Sequence, residues 1–485
     1  MPTGIAPGAQ TNYTQDLFFS MERLSVNPYV VERIHPESKE LPFMVEDSVV
    51  SDLTNGMNLK ALHAAGRLFF ADHSYQAKYP KIKGKYAAAC SAYFFIHPMT
   101  GDFLPLAIRT NVESDLIYTP LDAENDWLLA KMMFNMNDLF HGQIFHLANS
   151  HAVSEAVHQA ALRTLSEMHP VRAFLDRSKC QLIFYRTNPV ITLTFTVMYQ
   201  AYAIRPVGEQ VLFNPGGFFD QTFFLSNEAV RQFATEYYPL TAGAFQANYF
   251  HQDLISRGLI SCSYGPALKS LPYYEDASAM VSTLSRFTES YLRVYYPSED
   301  FLAPDHELQS WIVEASTAAK VLDFPNSPLI SRDVLTSILV HVAYLNGVSH
   351  HSLNSGTPAS TSGVLPFHPA ALYAPPPKTK GTIDTLMPFL ANMTDALGQI
   401  TLLIRFNRPK LEEANGNLVH MFSGSNFLGY GSAAVTSAAK VFENEMLDIS
   451  NRIMSRVFDE RGLAQGMPFI WRSLDPRKIP FFLSV

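Results

Sequence analysis

The chain has 485 residues, of which 47% are hydrophobic and 16% charged, and its 36 basic and 44 acidic side chains give a formal net charge of −8. The Lys and Arg residues do not cluster as contact with a phosphate backbone requires, so no nucleic-acid partner is predicted. No apolar run reaches the roughly 20 residues that span a bilayer, and no secretory leader opens the chain.

For residues 1–55 the sequence predicts an extended arm packed on the body, because Gly, Pro, Asn and charged residues recur there with little periodicity. For residues 56–485 the sequence predicts one large, mainly helical domain. Within it, two apolar runs around a Met-Thr-Gly-Asp turn indicate a β-hairpin over Ser91–Thr110. Helical spacing of apolar residues recurs over 122–168, 227–240, 275–294, 306–322, 331–354, 383–406 and 432–459.

Two histidines on the first long helix, His146 and His151, are candidate metal ligands. Five residues turn an ideal helix by about 500°, which leaves these side chains about 140° apart. They can share one metal only if the helix widens between them, so the spacing predicts a π-bulge at Leu147–Ser150, a distortion that occurs mostly at functional sites. The alternative is that both are ordinary packing histidines.

Two further candidates stand at positions i and i+4 of a later helix, where His350 and Asn354 share one face. Imidazole nitrogen and amide oxygen suit manganese or iron, whereas zinc more often recruits thiolate or carboxylate.

The chain ends in IPFFLSV, in which six of seven residues are apolar and favour burial. A buried terminal carboxylate on Val485 requires a counter-charge, which a metal cation would supply. The alternative is a tail docked on the surface.

The segments WLLAKMMFNMND, FHLANSHAVSE, LRTLSEMHPV and SHHSLN, with the short apolar tail, resemble in order and spacing the central signature of the lipoxygenases. The resemblance extends from the hairpin near Ser91 to the C-terminus and implies a helical lipoxygenase catalytic domain with a small sheet. The metal ligands that it implies are His146, His151, His350, Asn354 and the carboxylate of Val485.

The resemblance also implies a set of residues around the metal and the substrate. In the family, two glutamines lie just outside the metal ligands, and here Gly142 and Thr357 stand at their positions. Gln143, next to Gly142, is expected to take the place of the first glutamine. GEQVLFNPGGFF resembles the stretch holding the family's Ala/Gly stereocontrol position, which falls on Gly208 and is associated with R-type oxygenation or altered regiochemistry. The same stretch implies that the substrate channel is lined by Leu212, Phe218 and Phe219. The alternative for each of them is ordinary core packing.

Among lipoxygenases, the chain most resembles the secreted fungal manganese branch. The arm is too short for an N-terminal lipid-binding β-barrel, and Val485 stands where plant and animal iron enzymes usually end in isoleucine. In addition, the stereocontrol position is occupied by a glycine, Gly208. Iron stays open because it accepts the same ligands. Sequons at Asn12 and Asn392 agree with an extracellular glycoprotein.

The reaction that the resemblance implies is dioxygenation of linoleate or α-linolenate. A hydroxide on the trivalent metal would take a bis-allylic hydrogen, and O2 would trap the pentadienyl radical as a hydroperoxide. The expected partners are the fatty acid and O2, with a monomeric chain. Two other classes stay open. A zinc hydrolase would act without O2, and a non-catalytic helical lipid-binding protein would form no conjugated diene.

Overall fold

The computed structural model describes residues 6–179, 220, 222–237, 244–354, 368–406, 416–423 and 432–483. Over these residues the protein is mainly helical with one small antiparallel sheet, which confirms the predicted fold class. No helix in the described part is long and apolar enough to cross a membrane.

The helices follow the predicted order. The first are α1 (Ala9–Asn12), α2 (Asp16–Met21), α3 (Asp47–Thr54), α4 (Leu59–Ala64), α5 (Glu124–His146), α6 (Val153–Thr164), α7 (Pro170–Lys179) and α8 (Asn227–Tyr237). The later ones are α9 (Phe250–Ser256), α10 (Pro272–Tyr295), α11 (His306–Ser316), α12 (Arg332–Tyr344), α13 (His350–Asn354), α14 (Met393–Phe406) and α15 (Ala433–Met454). Two π-helical turns, Leu147–Ala152 and Leu345–Ser349, join α5 to α6 and α12 to α13.

Two helix boundaries differ from those predicted by more than five residues. The helix predicted over 383–406 begins only at Met393, because the side chain of Asn392 accepts a hydrogen bond from the N–H of Asp395 and so caps α14. The helix predicted over 306–322 ends at Ser316. Lys320, shortly after it, has φ of 54°, which is incompatible with a continuing right-handed helix.

The sheet contains β1 (Glu32–Arg33), β2 (Leu68–Asp72), β3 (Ser91–Ile96), β4 (Phe103–Arg109) and β5 (Ile117–Tyr118), all antiparallel in the order 1-2-3-4-5. The predicted hairpin is β3–β4. Its turn requires Gly101 at φ of 72°, a conformation that glycine adopts readily.

The described part of the N-terminal segment, 6–55, forms α1 to α3 and β1, joined by irregular stretches, where the sequence predicts an extended arm. It lies against the body, because Phe18 and Phe19 of α2 are buried in the main hydrophobic core. Polar contacts add to this packing. One carboxylate oxygen of Asp16 accepts hydrogen bonds from the indole of Trp127, at 2.7 Å, and from the ammonium of Lys131, at 2.8 Å.

The elements that carry the candidate ligands lie in the interior. Helix α5 is buried on nearly every face, as a central helix of a large domain must be. The two π-helical turns contact each other, α5 contacts α13, and α12 packs against α10. The domain core therefore surrounds the place where the three candidate histidines meet.

Candidate metal centre

The turn after α5 is widened, as the spacing of His146 and His151 predicts. The π-helical turn begins at Leu147, the first residue of the predicted bulge, and ends at Ala152. It turns both imidazoles to the same side, so that their ring centroids lie 5.5 Å apart. Ser150 lies within the turn, and its hydroxyl donates to the carbonyl oxygen of His146.

The third imidazole comes from α13. The ring centroid of His350 lies 5.1 Å from that of His146 and 4.6 Å from that of His151. One ring nitrogen of each histidine lies within 4.8 Å of the others, and all three side chains are buried. Among the described residues, this is the cluster of His, Cys, Asp or Glu side chains whose donor atoms could hold a metal ion.

The ring of His146 shows how the site is prepared for a cation. Burial lowers the pKa of His146 to about 4, so its imidazole is neutral near pH 7. Its Nδ1 lies 3.1 Å from the carbonyl oxygen of Gly142 and donates to it, which leaves Nε2 with a free lone pair. That Nε2 is buried without a hydrogen-bond partner in the described structure. Three imidazoles whose ring nitrogens converge at this spacing fit a single first-row divalent ion.

A carboxylate that the sequence analysis did not single out lies beside the cluster. Oε1 of Glu155 is 4.0 Å from Nδ1 of His151, and both side chains are buried. A carboxylate near the second nitrogen of a metal-binding histidine orients the ring and raises its basicity. The signal was present in the sequence, because Glu155 follows His151 by four residues and shares its helical face.

The other predicted ligands are less completely described. The backbone of Asn354 ends α13, one turn after His350, but its side chain lies outside the described part. Val485 lies outside the described residues, as do Gly208, Leu212, Phe218, Phe219 and the outer-shell position Thr357. Gln143 is buried on α5, three residues before His146.

The described part of the C-terminal tail passes beside the second π-helical turn. Phe481 and Phe482 are buried, and Nε2 of His351 lies 3.2 Å from the carbonyl oxygen of Phe482. A Cβ on Gly347 would lie 3.7 Å from the Cα of Phe481, so the tail backbone runs close to the turn.

The two sequons differ in their surroundings. Asn392 is exposed at the start of α14. Asn12 is half-buried, and its Nδ2 donates to the carbonyl oxygen of Pro468 at 2.8 Å.

Comparison with known proteins gives matches over the whole chain. A family model described as "Lipoxygenase" matches residues 10–399. A protein of Colletotrichum gloeosporioides named "Manganese lipoxygenase" is 53% identical over 485 residues, covering 100% of this chain and 76% of the relative. One of the same name from Fusarium oxysporum is 52% identical with the same coverage. A solved structure described as "Manganese Lipoxygenase" is 49% identical, with a TM-score of 0.92, covering 99% of this chain and 82% of that one.

Proposed function

Since this chain belongs to the lipoxygenase family, we propose that it is a manganese-dependent dioxygenase of polyunsaturated fatty acids. The observation that carries the proposal is the buried cluster of His146, His151 and His350, whose ring nitrogens already lie within 4.8 Å of one another. The net reaction joins one fatty acid and one O2. A bis-allylic C–H bond is broken, a C–O bond forms, and the hydrogen ends on the outer oxygen of the hydroperoxide.

The described residues fit the needs of this chemistry. A manganese ion bound by the three histidines would supply a one-electron oxidant and a Lewis acid. The histidines supply imidazole nitrogens in a fixed arrangement, because all three side chains are buried in the core. The names of the relatives favour manganese, and iron stays the alternative because these donors accept either ion.

We propose that Asn354 and the carboxylate of Val485 complete the ligand set. The backbone of Asn354 lies one helical turn beyond His350. The course of the tail supports the role of Val485, because the described chain reaches position 483 after passing along the second π-helical turn. Only two residues separate this described stretch from the carboxylate of Val485, and a chain of two residues extends at most about 7 Å.

The function can be tested by metal analysis combined with assays on linoleate. We expect about one manganese per chain and oxygen-dependent growth of the conjugated-diene absorbance, with no growth under argon. Stoichiometric iron in place of manganese would reject the metal assignment. Oxygen-independent hydrolysis at a zinc site would indicate a hydrolase. If the metal-loaded protein forms no product at all, the protein would instead be a non-catalytic lipid-binding protein.

We propose that Gly208 sets where O2 reaches the substrate, and that Leu212, Phe218 and Phe219 line the channel. Replacing Gly208 with alanine fills the space beside the pentadiene, so we expect a changed ratio of positional or chiral hydroperoxides. Chiral chromatography of the linoleate products measures it. Gly398→Ala is the matched control, because a Cβ at that position meets no atom of the described residues within 4 Å. An unchanged product profile in Gly208→Ala would remove this residue from the site.

We also propose that the protein acts outside the cell as a glycosylated monomer. Of the two sequons, exposed Asn392 is the more accessible acceptor, since the amide of Asn12 is half-buried and bonded to the backbone. Peptide mass mapping of protein secreted by a fungal host tests this, and glycan on neither asparagine would reject the glycosylation proposal.

A further inference from the structure

A buried asparagine in the second π-helical turn connects the two chain segments that carry the histidines. Asn346 has no exposed surface, and its Oδ1 accepts a hydrogen bond of 2.6 Å from the hydroxyl of Ser154. Ser154 stands at the start of α6, three residues after His151, and Asn346 stands four residues before His350. The Nδ2 of Asn346 donates to the carbonyl oxygen of Ser178 on α7, at 3.2 Å.

We propose that Asn346 and Ser154 are a positioning pair that sets His350 against His151 and thereby fixes the geometry of the metal site. The inference rests on the proposed function only in taking these histidines as metal ligands. Neither side chain of the pair is proposed to touch metal or substrate.

The physical need for such a pair comes from the π-helical turns. A π-helical turn carries one more residue than an α-helical turn, so its own backbone bonds define the direction of the following helix less well. Here both ligand segments pass through such a turn, and the two turns contact each other. A side-chain bond between two buried groups fixes their relative position, because breaking it leaves a polar atom without a partner in the interior.

Ser349, another residue of the second turn, is held as well. The hydroxyl of Tyr29 donates to Oγ of Ser349 at 2.7 Å and lies 2.6 Å from the hydroxyl of Tyr273 and 2.9 Å from that of Tyr344. The hydrogen bonds of these tyrosines anchor the turn to the N-terminal segment and α10, and the ring of Tyr29 also lies 5.7 Å from that of Phe145, the residue before His146. The bond from Asn346 to Ser154 adds a buried side-chain hydrogen bond between the two ligand segments.

The test is the affinity of the metal-free protein for Mn²⁺ added as its chloride, measured by titration with electron paramagnetic resonance. Ser154→Ala removes only the hydroxyl, and we expect affinity about 10-fold weaker, the lower end of the range found when groups bonded directly to metal ligands are replaced, because this pair acts on the ligand segments and not on an imidazole. The spectrum of bound Mn²⁺ should change too, because the ligand geometry changes. Asn346→Ala should weaken binding at least as much, because it also removes the bond to Ser178. The double variant should bind no more weakly than Asn346→Ala, because the bond to Ser154 is already lost in that single variant.

The matched control is Ser450→Ala, another fully buried serine, whose hydroxyl donates to the carboxylate of Asp475 and so joins α15 to the segment just before the C-terminal tail instead of joining the two histidine segments. It should lower the thermal midpoint without changing Mn²⁺ affinity or the spectrum. Equal weakening in Ser154→Ala and Ser450→Ala would overturn the inference, because the bond would then be merely structural. Wild-type affinity and spectrum in Ser154→Ala would overturn this inference alone, whereas wild-type protein that binds no Mn²⁺ would overturn the proposed function with it.

Discussion

Replacing His350 with alanine is expected to remove the bound metal and lower kcat/KM for linoleate by on the order of 1,000-fold or more, which corresponds to about 4 kcal/mol. His350 supplies one of three nitrogens that converge within 4.8 Å, and the other two come from a single short segment. Without His350, the ion would keep only the imidazoles of His146 and His151 from this cluster, both on one side of the site. Metal content by elemental analysis and initial rates of diene formation measure the two effects.

The control for this experiment is another buried histidine before the second π-helical turn. His341 lies on α12, burial lowers its pKa to about 3, and neither ring nitrogen has a hydrogen-bond partner in the described structure. Its ring packs instead against Phe245 and Tyr249. His341→Leu therefore exchanges one apolar contact surface for another and should keep its metal. Full metal loading in His350→Ala would contradict the ligand assignment. Metal loss in both variants would show that the loss follows from general damage to the segment of α12 and α13.

The parts of the site that could be predicted are those whose geometry is local. His146 and His151, five residues apart, require a widened turn if they share an ion, and the structure has one there. The spacing of His350 and Asn354 fits an ordinary α-helix, so nothing in it indicates the π-helical turn that precedes them. Nor can spacing pair Ser154 with Asn346, because the two are 192 residues apart and meet only through tertiary packing.

The same limit applies to the fold. The β3–β4 hairpin follows from apolar runs on either side of a short turn, and the long helices follow from apolar periodicity. Strand β1 has two residues and pairs with β2 more than thirty residues later, so no local pattern could reveal it.

A buried group of charges joins the N-terminal segment to α5, and no pattern in the sequence pointed to it. Arg23 has no exposed surface, its Nη1 lies 2.9 Å from Oε2 of Glu22, and its Nη2 lies 3.5 Å from Oδ2 of Asp138. His368 lies 2.9 Å from the other oxygen of Glu22, and His73 lies 3.2 Å from the other oxygen of Asp138. Burial opposes ionisation of Asp138, but the charge of Arg23 and the hydrogen bond from His73 outweigh it and lower the pKa of Asp138 to about 2.

Arg23→Met should therefore cost about 3–5 kcal/mol of unfolding free energy, the range expected when one partner of a buried ion pair is removed. The loss comes from the carboxylates of Glu22 and Asp138, which would stay buried with less positive charge beside them. Denaturant unfolding followed by tryptophan fluorescence, at equal metal loading, measures it. The control is Arg286→Met, which removes a guanidinium from Glu445 at 2.7 Å on the exposed surface and should cost less than about 1 kcal/mol.

The cause of that loss can be separated from lost packing with one more variant. If the cost is the uncompensated charge, then Arg23→Met combined with Asp138→Asn should be more stable than Arg23→Met alone, because the second change removes a buried carboxylate that has lost its partner. If the cost is instead the loss of the guanidinium's contacts with the rings of Phe19 and Phe134, then Asp138→Asn should give no recovery. Recovery would mean that Arg23 holds the N-terminal segment to α5 mainly by neutralising a carboxylate that the helix buries two turns before His146.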